Sequence, residues 1–363
     1  MENKKDIHKF PYDWSFSGTS FTKDKGKVFS CFACGGGSTM GYKLAGFDVI
    51  GCNEIDERMN RLYVENNHPA YNYMCDIREM VNMDTLPEDL YSLDILDGSP
   101  PCSSFSIFGN REKDWGKSKK FREGQKEQVL DTLFFDFISL AKRLQPKVVV
   151  AENVEGILIG SASKYVNRIY NSFDDAGYTV SEFLLNGENM GVPQKRKRVF
   201  FICLRKDLVE QVSNIDMMFG KEPILNMDFK EKSITLGEVS DYTGKELKRG
   251  TSRYELWEKR TAGDNSLGEI NHRLNGKWTH FSERLNHKEN VSKTITSAIH
   301  TNVHYEQPRL YSDSELIKIS TFPSDYNFLD QSVCYVCGMS VPPVMMAHIA
   351  SNIWEQWLSK IKK

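Results

Sequence analysis

Two hydrophobic textures alternate along the first 205 residues. Short runs that are apolar nearly throughout, Lys27-Val28-Phe29-Ser30-Cys31-Phe32, Asp48-Val49-Ile50-Gly51-Cys52, Leu93-Asp94-Ile95-Leu96-Asp97-Gly98 and Lys147-Val148-Val149-Val150-Ala151-Glu152-Asn153, predict strands. A further short strand is predicted to end at Cys75-Asp76-Ile77. Between the strands, apolar residues recur at helical spacing, as in Met40, Leu44 and Ala45 before the stop at Gly46, and again from Leu133 to Leu144. Strands without a polar face, separated by helices, imply an α/β fold with a parallel sheet covered on both sides. Ligands of such sheets bind outside the carboxyl ends of the strands. Those ends here carry a Gly-rich turn, Glu54, Asp76, Pro101-Cys102 and Glu152-Asn153.

After Arg205 the texture changes. From Lys206 to about Asn290 the chain is polar, weakly periodic and dotted with aromatics (Tyr242, Tyr254, Trp257, Trp278, Phe281), which predicts a separate small domain. Regular signals return at Lys293-Thr294-Ile295-Thr296, and Pro342 to Leu358 shows a helical apolar face. Residues 1 to 24 read as an extension or arm, and no internal repeat stands out.

The chain has 363 residues, 40% hydrophobic and 26% charged, which excludes a mostly disordered or fibrous protein. No apolar run approaches the roughly 18 residues of a membrane span, and the N-terminus has no apolar stretch behind its lysines. A cytoplasmic protein without membrane attachment is therefore expected. With 47 basic and 49 acidic residues the net charge is −2, so nucleic-acid contact would be confined to a local basic face. The eight cysteines are expected to be thiols rather than disulfides.

Four segments could carry chemistry. In Phe32-Ala33-Cys34-Gly35-Gly36-Gly37, glycines let the backbone approach a ligand and free amides at a helix start, while Glu54 ends the next strand where ribose hydroxyls would be bound. The alternative is a tight turn and an exposed acid. The segment lacks a full Gly-x-Gly-x-x-Gly, which argues against NAD. In Gly98-Ser99-Pro100-Pro101-Cys102-Ser103-Ser104-Phe105-Ser106, two rigid prolines hold a cysteine just past a strand end, as either a nucleophile or an inert buried thiol. In Ala151-Glu152-Asn153-Val154, the glutamate is a solvated strand end or a carboxyl whose burial keeps it protonated. In Gln194-Lys195-Arg196-Lys197-Arg198, alternation places both arginines on one side of a strand, as a solvated edge or as a pair suited to phosphate or base recognition.

These segments, in this order, resemble the cytosine carbon-5 DNA methyltransferases of bacterial restriction and modification systems. The Pro-Cys followed by Phe-Ser, the Glu-Asn-Val and the Gln-x-Arg-x-Arg are that family's most recognisable motifs. Asn53-Glu54-Ile55-Asp56, Asp76-Ile77, Thr132-Leu133-Phe134-Phe135, Arg309-Leu310 with Glu315 and Phe322-Pro323, and Gly338-Met339-Ser340-Val341 are similar to further family motifs. Three positions depart: the family usually has Gly at Cys34, often Asp at Ser30, and Asn at Met339.

The resemblance implies a Rossmann-like methyltransferase sheet with a second, smaller target-recognition domain. It divides the chain into an extension at 1–24, a catalytic domain at 25–205, the recognition domain with its hinges at 206–332, and a returning C-terminal helix at 333–363. It implies S-adenosylmethionine as cofactor, held by Phe32, Ala33, Gly35, Gly36, Gly37 and Glu54. Ile55, Asp76, Ile77, Pro101, Leu133 and Ser340 complete that implied site. For catalysis it implies Cys102 as the nucleophile that adds to cytosine carbon 6, Glu152 as a protonated hydrogen-bond donor to ring nitrogen 3, Arg198 on the ring carbonyl, and Arg196 as a residue that holds the site together. Double-stranded DNA with a flipped-out cytosine is the implied substrate. A monomer and a separately acting cognate endonuclease are expected.

The segment Ser103 to Lys126, with seven basic residues against three acidic, carries +4 and suits closure over phosphates. Arg249, Arg253, Arg260, Arg273 and Lys277 are the candidate base-reading residues. Three other readings remain, one of them a non-enzymatic DNA-binding module, which would not require Pro101-Cys102 with Glu152. A transfer RNA cytosine methyltransferase would share the scaffold, but the Cys-Phe-Thr segment of that branch is not found here. Cys31-x-x-Cys34 with Cys334-x-x-Cys337 could form a zinc site, although neither pair has zinc-knuckle surroundings.

Overall fold

The computed structural model describes residues 8–101, 132–159, 162–212, 224–278, 283–298 and 301–362. In chain order the elements are β1 (Lys27–Cys31), α1 (Gly37–Leu44), β2 (Asp48–Asn53), α2 (Glu57–Asn67), β3 (Tyr71–Tyr73), α3 (Ile77–Asn82), β4 (Ile95–Gly98), α4 (Leu133–Leu144) and β5 (Val148–Val154). They continue with α5 (Ser163–Asp175), β6 (Tyr178–Asn186), β7 (Gln194–Lys195), β8 (Lys197–Arg205), α6 (Val209–Val212), α7 (Leu236–Val239), α8 (Ser252–Glu258) and α9 (Leu267–Asn275). Last come β9 (Arg284–Asn286), β10 (Ser292–Lys293), β11 (Asn302–His304), α10 (Asp313–Ile319), α11 (Val333–Met339) and α12 (Pro343–Gln356).

The chain forms two compact units. The larger contains residues 21–185, 197–228 and 346–363; the smaller contains 1–20, 186–196 and 229–345. The larger unit is built on a seven-stranded sheet in the order β3-β2-β1-β4-β5-β8-β6. The first five strands of that order are parallel, but β8 runs antiparallel to β5, so the sheet is mixed rather than wholly parallel as the pattern predicted. Apolar runs alone report that a strand is covered on both faces, not which way it runs. β5 and β8 are buried along nearly their whole length.

The helices follow local chemistry. Asp56 caps α2 by accepting from the amides of Arg58 and Met59, and Asp76 caps α3 through the amide of Arg78. Asp76 was expected at a strand end; β3 stops at Tyr73, and Asp76 serves the following helix instead. On α4, Phe134 meets Tyr165, Phe173 and Phe201 edge-on at centroid distances of 6.5, 6.4 and 5.8 Å, seating the helix on the sheet.

The smaller unit is held by polar networks and two small apolar clusters. β7 pairs with β10 and β11 with β9. The expected extension belongs to this unit: Trp14 is buried, its indole donates to the carbonyl of Thr321 (2.8 Å), and the amides of Phe16 and Ser17 donate to the carboxylate of Asp325.

The domain boundaries predicted from texture therefore need correction. Residues 186–196 leave the larger unit because β7 bonds to β10. Residues 224–228 stay with it because the carbonyl of Asn226 accepts from Asn352 and Gln356 of α12. α11 counts with the smaller unit, and the chain crosses over within α12. The stretch Val333–Lys360 is, contrary to expectation, apolar and long enough to match a membrane span, but it is mostly buried inside the protein, as core helices are.

Candidate active site

Glu152 and Asn153 end β5, and antiparallel pairing with β8 sets Val154 opposite Arg198. Glu152, whose direct partner is Phe200, is thus the diagonal neighbour of Arg198. The Arg198 Nε donates to Glu152 Oε1 at 2.9 Å, with only 16% and 11% of the two side chains exposed. A second guanidinium nitrogen donates to the carbonyl of Lys197 (2.7 Å). Burial lowers the Arg198 pKa, and the neighbouring carboxylate opposes that shift. The Asn153 amide donates to the carbonyl of Pro100 (3.2 Å, buried), and its oxygen accepts from the amide of Val154. β5 thereby fastens the turn that leads through Pro101 to position 102. Gly98 ends β4 where a Cβ would lie 2.6 Å from the Phe137 ring, so no other residue lets α4 pack this closely. Cys102 and the basic segment that follows lie outside the described residues.

Arg196 was expected to share a face with Arg198. The strand instead breaks at Arg196, whose amide bonds back to the carbonyl of Gln194 (3.0 Å) in a tight turn, and alternation requires an unbroken strand. Its guanidinium is buried and donates to the carbonyls of Ile295 (3.0 Å), Gly338 (3.0 Å) and Ser340 (2.9 Å), all within the smaller unit. Gln194, fully buried, accepts from the amide of Ile295 and donates to the carbonyl of Ile319. Arg196 and Gln194 together bind β7 to the rest of that unit.

At the other end of the site, the Gly-rich turn bends sharply. Phe32, Cys34 and Gly36 have φ of 53°, 46° and 81°. A Cβ at Gly36 would lie 2.5 Å from the Asn67 amide, so glycine is required there by both space and conformation. Ala33 donates its amide to the carbonyl of Asn53, and Gly36 to that of Ala33. Glu54 is buried; its oxygens accept from the amides of Asp56 and Cys34, both at 2.8 Å. Burial raises its pKa while these amides pull the other way.

The Glu54 carboxylate also accepts from the amide of Ile55, whose apolar side chain is exposed beside it. An acceptor-only group beside an apolar face and a turn too tight for side chains suits the ribose and base of a nucleoside, so the residues present fit S-adenosylmethionine. Other expected cofactor residues fit less directly. Asp76 is engaged by its cap and by Arg78 Nη1 (3.2 Å), Ile77 and Leu133 lie in the apolar core, and Pro101 is partly buried. The Ser340 hydroxyl donates to the carbonyl of Val336 (2.8 Å) within the smaller unit.

The cysteine pairs show no zinc geometry. Cys31 is a core residue whose thiol burial pushes well up, Cys334 faces the carbonyl of Thr296, and among the described residues no three His, Cys, Asp or Glu gather around a metal position. Of the candidate base readers, Arg253 pairs with Glu283, Arg273 with Asp264, and Arg260 packs 3.4 Å over the Trp257 ring, while Arg249 and Lys277 are exposed.

A family model described as C-5 cytosine-specific DNA methylase matches residues 26–355. The chain belongs to the C-5 cytosine-specific DNA methylase family. Among curated members, it is 34% identical over 215 residues to the type II methyltransferase M.FnuDI of Fusobacterium nucleatum, which covers 59% of this chain and 56% of the relative. It is 26% identical over 359 residues to M.NgoFVII of Neisseria gonorrhoeae, covering 93% and 88%. The matches to M.FnuDI and to M.NgoPII thus span about half the length of those relatives. In fold, the chain resembles a DNA modification methyltransferase encoded within an Escherichia coli prophage (TM-score 0.60, 20% identity, 91% and 99% coverage). It also resembles a DNMT2 variant from Spodoptera frugiperda (TM-score 0.59, 15% identity, 90% and 99% coverage).

Asp97 is the site residue that the sequence did not single out; Asn153 and Gln194 stand in the Glu-Asn-Val and Gln-x-Arg-x-Arg segments, where the sequence assigns them no role. An acid inside the apolar run of β4 was the available signal for Asp97.

Proposed function

We propose that the protein is a DNA (cytosine-5)-methyltransferase that methylates a flipped-out cytosine in double-stranded DNA. The observation that carries this reading is the buried Glu152–Arg198 pair beside the Pro100–Pro101 turn that Asn153 fastens. S-adenosylmethionine, when bound, supplies an electrophilic methyl group. Phe32, Ala33, the three glycines, Glu54 and Ile55 hold its nucleoside and methionine parts, with Asp76, Ile77, Pro101 and Leu133 bordering them.

Cytosine carbon 5 is a weak nucleophile until the ring is activated. The thiolate of Cys102 adds to carbon 6, and the electron pair so displaced makes carbon 5 nucleophilic. Glu152 hydrogen-bonds the ring at nitrogen 3, Arg198 orients Glu152 and binds the ring carbonyl, and Arg196 braces β7 from the smaller unit. After carbon 5 takes the methyl group, a base removes the proton at carbon 5 and the carbon–sulfur bond breaks. That step restores the thiolate and leaves 5-methylcytosine. Residues 229–332 read the target sequence, and the basic segment 103–126 supplies positive charge for DNA phosphates.

The protein acts as a cytoplasmic monomer within a restriction-modification system, beside a separately acting endonuclease. Labelled methyl transfer to duplex DNA, with transfer RNA as the competing substrate, tests the reading. Incorporation into DNA carbon 5, lost in Cys102→Ala with duplex binding retained, is the expected result. A covalent conjugate with 5-fluorocytosine DNA should map to Cys102. Transfer to RNA alone, or a conjugate at another residue, overturns the proposal.

A further inference from the structure

Asp97, the third residue of β4, is a carboxyl buried to 1% exposure where the apolar strand gives way to the turn toward Pro100 and Pro101. Its direct partner in the parallel register is Ser30 of β1. The Ser30 hydroxyl donates to one Asp97 oxygen (2.9 Å), the Tyr42 hydroxyl of α1 to the other (3.2 Å), and Ser38 in the first turn of α1 adds a third hydroxyl. These donors bracket the Gly-rich turn: Ser30 lies just before it and Ser38 just after.

Three neutral hydroxyls satisfy the geometry of a carboxylate without supplying countercharge, and among the described residues no cation pairs with it, which makes the buried anion costly. Burial pushes Asp97 up to about 7, the hydroxyls pull it down, and Glu152 on β5 raises it. The other titratable groups that feel Asp97 are the thiol of Cys31 on β1 and the phenols of Tyr42 on α1 and Tyr63 on α2, all neutral groups that burial pushes up. Both carboxyl oxygens accept from hydroxyls, contacts that an asparagine, with one acceptor and one NH2 donor, matches only if a hydroxyl turns round. Perturbed acids of this kind concentrate at functional sites.

We propose that Asp97 is a positioning residue for the cofactor: the buried anion whose charge answers the positive sulfur of S-adenosylmethionine at the end of β1 and β4. This rests on the methyltransferase reading above. Binding of the sulfonium then favours the ionised carboxyl, and below neutral pH it must expel the Asp97 proton. The thioether product lacks that positive charge and expels less.

Calorimetric titration of the whole protein with S-adenosylmethionine and S-adenosylhomocysteine, at pH 6 in two buffers of different ionisation enthalpy, measures the protons released. Because Glu54 meets the same ribose in both ligands, its titration cancels in the difference. More proton release with S-adenosylmethionine than with the product is expected at pH 6. That difference should vanish at pH 8.5 and in Asp97→Asn. In Asp97→Asn, the preference for the sulfonium ligand over the thioether should fall about tenfold.

The exchange Ser30→Asp with Asp97→Ser moves the acid to its register partner on β1 and should restore the preference. The wild-type measurement stands even if a variant fails to fold. Equal proton release with both ligands, or an Asp97→Asn protein with unchanged preference, overturns the role of Asp97 while leaving the methyltransferase reading intact. Failure of the folded wild type to bind either ligand sinks the cofactor reading and this inference with it.

Discussion

Cys34 sits at φ 46°, a left-handed conformation that favours glycine. Glycine there should relieve strain: Cys34→Gly is expected to raise stability by about 1 kcal/mol, read as a higher Tm, with the Glu54 contact kept because only the backbone amide makes it. Glu152 and Arg198 act at the same scale. Removing the acid in Glu152→Gln, or its orienting partner in Arg198→Ala, should lower kcat by roughly 10²–10³-fold while Cys102 still forms its conjugate slowly. Both residues were legible in the sequence because charge at the end of an apolar strand is conspicuous. Asn153 was visible beside them but its role was not, since its partner is a backbone carbonyl 53 positions away. Cys102 was equally legible, and it lies outside the described residues.

At the scale of elements, the two-residue strand β7 depends on its side chains more than on its length. Arg196→Met would leave the carbonyls of Ile295, Gly338 and Ser340 without their charged donor, and a loss of about 3 kcal/mol or more is expected from chemical denaturation. α10 is held by a denser network. Glu315 is fully buried, caps its own helix with Ser312, and accepts from Arg309 and His304. Burial alone would raise its pKa, yet these donors hold it down to about 2. A depressed acid stabilises the fold above the unfolded value near 4.5, and that contribution drains away as pH falls toward 2. The Tm of the wild type should therefore drop steeply in this window, and that of Glu315→Gln, already lower, should drop less. The helices α4 and α12 were readable from their apolar spacing. The direction of β8 was not, because pairing with β5 is decided by a neighbour about 50 residues away.

Over the whole molecule, the chain passes between its two units several times, and the N-terminal arm is a working part of the smaller one. Trp14→Ala should cost about 3–5 kcal/mol, because it empties a buried site and strands the carbonyl of Thr321. A surface extension would lose nothing measurable. With a net charge of −2, attraction to DNA must be local, so log affinity for duplex should fall linearly with log salt, with a slope that Cys102→Ala leaves unchanged. A salt-independent affinity would contradict phosphate contact.

The order of strands and helices, the Gly-rich turn, and the identities of Cys102, Glu152, Arg196 and Arg198 were determined by the sequence, because periodicity and side-chain chemistry are local properties. Tertiary structure decided who faces whom. Register across strands joined Arg198 to Glu152 and Ser30 to Asp97, and hydrogen bonds between distant segments gave Arg196, Asn153 and Trp14 their places. Such contacts depend on how a chain closes on itself, and no window of neighbouring residues records that.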